Sequence, residues 1–202
     1  MKKAQIPRSI ILVVLLYLVA AISAAITLQN WEFLKVYIPF FFAVILLVKF
    51  MHWRVKFTKT ILWCLTIWGA MHLAGGLVRL PDGWPYHGEH QVLYSWWIIG
   101  DWLKYDHVVH AFGFGTTTWL TWEALRSSVQ QRMGRKLYPS MGMIFLCVFT
   151  GMGLGALNEI VEFIAVLNLP ETNVGGYYNT CWDLVANAVG CLFVGVIILF
   201  RG

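Results

Sequence analysis

The chain has 202 residues, 59% of them hydrophobic and only 12% charged, with mean hydropathy +0.67. A soluble domain carries about twice that share of charge, so this composition excludes one and points to a multi-pass membrane protein. The formal net charge of +5 does not argue for nucleic acid, because the bases are confined to loops between apolar runs.

Six windows long and apolar enough to cross ~30 Å of hydrocarbon follow in chain order. They cover about 9–29, 34–51, 60–79, 105–125, 139–167 and 181–200. The runs are continuous rather than alternating, which predicts helices and not strands. The first starts after a basic segment and passes the small residues Ala20 to Ala25, the shape of a secretory signal. Uncharged sequence continues to Asn30, so a retained membrane anchor is expected instead. Between the third and fourth spans, about 80–104, Pro81-Asp82-Gly83-Trp84-Pro85 marks turns and Trp96 to Ile99 predicts a short amphipathic or re-entrant piece. Cys64, Cys147, Cys181 and Cys191 stand singly, with no disulfide framework. The expected fold is all-α, a polytopic helical bundle in a single membrane domain over 1–202.

The bases orient the bundle. Lys2, Lys3 and Arg8, then Lys49, Arg54, Lys56 and Lys59, then Arg126, Arg132, Arg135 and Lys136, and finally Arg201 all fall on one side. Only Lys35, Arg79 and Lys104 fall on the other. By the positive-inside rule both termini are cytoplasmic.

Polar groups then interrupt the apolar runs in three places: Asp106-His107-x-x-His110, Glu159-x-x-Glu162 and Asp183-x-x-x-Asn187. Each set lies on one face of its helix by i,i+3 or i,i+4 spacing. Ionisable groups at membrane depth cost at least a few kcal/mol each and mark functional sites. Rise per residue places Asp106 and Asp183 about 27–30 Å from the inner face, with His110 and Asn187 one turn deeper and His72 about 10 Å below the outer surface. Glu159 reaches that level if its helix tilts or starts late. Gly113, Gly115, Gly151, Gly153 and Gly155 allow close helix approach.

Structural duties compete with this reading. Asp106 in a first turn complements the helix dipole, and Thr180-x-x-Asp183 has the form of a capping box. Glu159 and Glu162 have no such role, because they lie late in a helix, where the dipole disfavours anions.

Asp106, His110 and Phe112, then Glu159-x-x-Glu162-Phe163, then Asp183-Leu184-x-x-Asn187-x-x-Gly190 resemble the motifs of the VanZ-like group of bacterial inner-membrane proteins and of the related YjdF-like branch. His107 stands where that group has lysine, Glu162 where it has glutamine, and no base occurs between Lys136 and Arg201. The resemblance implies a bacterial inner-membrane protein of the cell envelope and a link to glycopeptide-antibiotic resistance, with no reaction established.

The expected function is a divalent-metal site (zinc, manganese or iron) in an outward-facing acidic chamber, acting on a lipid or lipid-linked envelope precursor. The expected metal ligands are His110, Glu159, Glu162 and Asp183. Asp106 and His107 are the expected catalytic pair, with Asn187 and His72 in support. The alternative is a non-enzymatic small transporter, proton relay or envelope-binding, antibiotic-resistance-like membrane protein whose polar clusters are structural.

Overall fold

A computed structural model describes residues 5–87, 90–170 and 172–201, so Lys2 and Lys3 lie outside the described residues. The described residues are 77% helical, which places the chain in the all-α class. Six long helices run in sequence: α1 Arg8–Thr27, α2 Ile38–Val55, α3 Lys59–Leu77, α4 Tyr105–Met133, α5 Met141–Asn168 and α6 Tyr177–Arg201. A π-helical turn, Phe33–Tyr37, leads directly into α2. The helix ends follow local chemistry. Thr58 and Ser140 cap α3 and α5 with their hydroxyls, and Gly134 ends α4 at φ 65°.

Five of the helices are long and apolar enough to cross a membrane. The other is α4, which is 29 residues long but less apolar. The reason is its position, packed against α3, α5 and α6 at the centre of the bundle. Its hydroxyls cost little there, because Thr117, Thr118 and Thr121 donate to the carbonyls of Gly113, Phe114 and Thr117 at 2.9–3.0 Å. The peripheral helices instead turn apolar side chains outward, including Leu16 on α1, Leu46 on α2, Phe149 on α5 and Phe193 on α6. In water such faces would drive aggregation; a bilayer covers them.

The core has two textures. Helices α1, α2 and α3 with the π turn pack through large side chains, among them Leu18, Phe33, Tyr37, Phe41 and Leu73. Helices α4, α5 and α6 share a cluster of Phe114, Trp122, Ile144, Val148 and Ile198, and approach one another most closely at glycines. A Cβ on Gly190 would strike the carbonyl of Ala111, and one on Gly155 would come within 2.6 Å of Asn187 Nδ2. Gly153, expected at a helix contact, faces open space, and Gly113 packs against Trp68 of α3.

Two further expectations are corrected. The short amphipathic or re-entrant piece expected in 80–104 is not an α-helix among the described residues. The segment forms a 3-10 turn, Leu93–Ser95, and a small antiparallel pair, β1 Trp97–Ile99 with β2 Leu103–Lys104, turning at Gly100 with φ 45°. Polar spacing and a left-handed glycine favour a hairpin over a helix there. The segment lays Tyr94 against Gly75 of α3. Thr180 does not cap α6, because that helix begins at Tyr177 and the Thr180 N–H already donates to Gly176 O at 3.2 Å. Asp183 therefore sits in the second turn, without a capping role.

Candidate functional site

The chamber is built where the N-terminal ends of α4 and α6 meet the C-terminal end of α5. α4 contributes Asp106, His107 and His110; α6 contributes Asn179, Asp183 and Asn187; α5 contributes Asn158, Glu159 and Glu162. α5 begins at Met141, two residues later than expected, and this late start lets Glu159 reach the level of His110.

His110 is the hub. Its Nδ1 lies 3.1 Å from Asn187 Oδ1 and 3.7 Å from Glu159 Oε1, and its Nε2 lies 3.7 Å from Asp106 Oδ1. Two overlapping sets of potential ligand atoms share it: Asp106, His110 and Asp183, and His110, Glu159 and Glu162. Within each set the atoms lie within 4.8 Å of one another.

A second layer holds the acids in place. Lys104 Nζ donates to Asp106 Oδ2 at 3.2 Å and to Asn179 Oδ1 at 2.7 Å. Asn179 Nδ2 in turn donates to Asp183 Oδ2 at 2.5 Å, and Asn158 Nδ2 donates to Glu162 Oε1 at 2.8 Å. This network leaves specific atoms over. Both carboxylate oxygens of Glu159, Asp183 Oδ1 and Asn187 Nδ2 are buried without a hydrogen-bond partner. Asp183 and Asn187 are 0% exposed. Orphaned oxygens at that burial are costly unless a cation or proton meets them.

The chamber thus brings together Asp106, His110, Glu159, Glu162, Asp183 and Asn187. His107 faces elsewhere. Its Nδ1 accepts from the Lys104 N–H at 3.3 Å, which closes the start of α4, and its ring stacks on Trp182 at 5.9 Å. His72 touches none of the ligand set directly. Its Nδ1 lies 2.5 Å from the Tyr94 hydroxyl, and Tyr37, Phe41 and Trp68 surround its ring.

Glu32, just ahead of the π turn, was not expected here. It is 6% exposed, its Oε2 accepts from the Asn173 N–H at 2.9 Å, and burial raises its pKa above the usual carboxylate value. With Asp106, Glu162, His72 and Tyr94 it lines a cavity of about 20 Å³, room for a single water. A wider cavity of about 580 Å³ also touches Glu32 and Asn173, and Lys35 and Arg79 line it. Nothing in the local sequence marks Glu32 as buried. Asn179 and Asn158 did carry a signal, the i,i+4 spacing to Asp183 and Glu162.

No curated protein and no solved structure matches the chain. A family model does, over residues 6–202, under the description "Predicted membrane protein (DUF2238)", and the chain belongs to that family of membrane proteins.

Proposed function

We propose that the chain is a six-span inner-membrane protein of the bacterial envelope that holds a divalent cation in its acidic chamber. The observation that carries this is the set of buried, unpartnered oxygens on Glu159 and Asp183 on either side of His110. Lys104 answers Asp106, but among the described residues no lysine or arginine forms an ion pair with Glu159, Glu162 or Asp183. A cation bound by His110, Glu159, Glu162 and Asp183 offsets those charges, and mixed carboxylate and imidazole donors suit zinc, manganese or iron. When bound, it would supply Lewis acidity to a substrate oxygen or water. Asp106, beside the ligand set and steadied by Lys104, is placed to accept a proton. His107 keeps only Nε2 for that work.

A lipid or lipid-linked precursor is the proposed substrate. Support comes from the 580 Å³ cavity, which carries Lys35 and Arg79 and shares Glu32 and Asn173 with the small cavity at the chamber. In this reading α4 is the sixth span and the chamber faces outward, since Arg54, Lys56, Arg126 and Arg132 gather at the opposite end. The spacing of Asp106, Glu159 and Asp183 also fits the VanZ-like and YjdF-like motifs. Cysteines placed at Lys56 and Arg132 should react with a thiol reagent only when it enters the cytoplasm; labelling of either from outside would overturn the orientation.

The cation is tested by metal content and melting of protein purified without added metal. Wild type should carry a stoichiometric divalent ion and melt lower with chelator. Glu162→Gln should weaken that binding by about 10–100-fold, the effect typical of changes around a metal's ligands. Absence of metal and of chelator sensitivity in wild type, with an equal or higher melting point in Glu162→Gln, would end this reading. That result would favour the second one, a proton relay, which rests on the single-water cavity joining Glu32, Asp106 and Glu162.

A further inference from the structure

The end of the bundle opposite the chamber carries a separate cavity of about 460 Å³, between the α2–α3 turn and the α4–α5 turn. Its volume lies within the range of small-molecule sites, about 300–1,000 Å³. Lys56 enters it from the first turn, Arg126 from α4 and Lys136 from the second turn. These bases are far apart in sequence, and the fold brings them to one concavity.

The lining holds one acid, Glu123, against three bases, so an excess of two positive charges remains. Both carboxylate oxygens of Glu123 are taken by Thr58, which donates its N–H at 2.9 Å and its hydroxyl at 2.7 Å. Two more bonds fasten the same turn to α4. Ser127 Oγ donates to Val55 O and Gln131 Nε2 donates to Arg54 O, each at 3.0 Å. The turn is therefore held, not merely a covering of solvated charge.

Its backbone shows the same constraint. Lys56 has φ 61° and ψ 57°, the left-handed conformation that a lysine adopts at a cost. A glycine would end α2 there without strain. Gln29 follows α1 in the same way at φ 51°, so this conformation closes the helix, and it leaves Lys56 on the cavity lining.

The cavity lies at the helix ends, next to residues of interfacial type. The Arg54 guanidinium sits 5.0 Å from the Trp53 ring and 5.3 Å from the Phe50 ring, the pairing of an interfacial anchor. Tyr138, on the cavity rim, is exposed.

From three convergent bases against one acid, on a turn held by hydrogen bonds and flanked by anchors of interfacial type, we infer that this cavity binds a phosphate group, carried by an anionic lipid of the adjoining leaflet. Basic pockets between membrane helices take phospholipid head groups by this chemistry. The site is independent of the chamber, and no metal enters into it.

The test uses the full chain, delipidated in detergent and treated with chelator. Phosphatidylglycerol, phosphatidylcholine and inorganic phosphate are titrated separately, with native mass spectrometry and melting as readouts. Phosphatidylglycerol should bind saturably and phosphatidylcholine should not. Arg126→Gln with Lys136→Gln should weaken binding by about 25-fold, roughly fivefold per charge removed near the surface. Arg132→Gln with Arg135→Gln removes the same charge beside the cavity, and should weaken binding by less than about threefold at physiological salt.

Saturable binding of inorganic phosphate, with the same dependence on Arg126 and Lys136 and no preference for the lipid, would keep the phosphate site and assign it to a soluble ligand. Equal loss from both double variants, or loss from neither, would overturn the site and leave only general attraction between a basic surface and anions. All four substituted positions are exposed, so folding is retained, and an unchanged melting point without lipid checks this.

Discussion

The two halves of the bundle solve the packing problem differently. α1, α2 and α3 fill the space between them with Leu18, Phe33, Phe41 and Leu73. α4, α5 and α6 close on one another through Gly115, Gly151, Gly155 and Gly190, with backbone or short side chains in contact. Between helices spaced by Phe and Leu, an acid from one helix would have no reach to its neighbour. Only the close-packed half lets His110 meet groups from two other helices, and all three polar clusters fall there. Tight backbone approach is the condition for the chamber, in keeping with the use of small residues where membrane helices need polar contact.

This contrast is breakable. Gly190→Ala places a methyl on the Ala111 carbonyl, with backbone on both sides and no flexible side chain to yield. The expected loss is about 3 kcal/mol, or failure to fold. Gly153→Ala, with open space around it in mid-helix, should melt at or above wild type, because alanine favours a helix interior over glycine by about 1 kcal/mol. In the other half Leu73→Met, which keeps volume, should cost less than about 1.5 kcal/mol. Melting points in one detergent check all three; a Gly190→Ala protein as stable as Leu73→Met would dissolve the distinction.

A smaller effect sharpens it from the boundary between the halves. Burial raises the pKa of Glu32, so its neutral form is favoured in the folded state. Its contribution to stability is full below the ordinary carboxylate pKa and is lost as pH rises through the raised folded value. Glu32→Gln lacks this loss. Its melting point relative to wild type should therefore rise from acid to neutral pH, as thermal melts across that interval would show. A melting-point difference, variant minus wild type, that stays constant or falls with pH would mean that burial does not raise the Glu32 pKa.

Much of this was open to reading from residues alone. Continuous apolar runs predict the helices, and matched depth predicts that Asp106, His110, Glu159 and Asp183 share a level. What stayed hidden depended on contacts distant in sequence. Glu32 follows Asn30 and Trp31 in an ordinary polar connection, and only Asn173, 141 residues away, makes it interior. Asn179 is a local case: its i,i+4 spacing to Asp183 carries a signal only if α6 starts at Tyr177, which places it one turn before Asp183 as its hydrogen-bond donor. Trp96 to Ile99 carry an apolar pattern that suits a membrane-surface helix, and the hairpin wins because Gly100 reverses the chain and Lys104 pairs across to Trp97.

The π turn at Phe33–Tyr37 holds one residue more than an α-helical path would need. Each residue of a regular helix turns the chain by about 100°. Removing a single residue there would smooth the turn into α2 and swing all that precedes it by about that angle. Glu32 would leave the cavity, while the lipid-facing side of α2 would keep its pattern. A chain shorter by one residue at this point would still insert as a bundle, yet it would have lost an acid from its interior without any substitution of that acid.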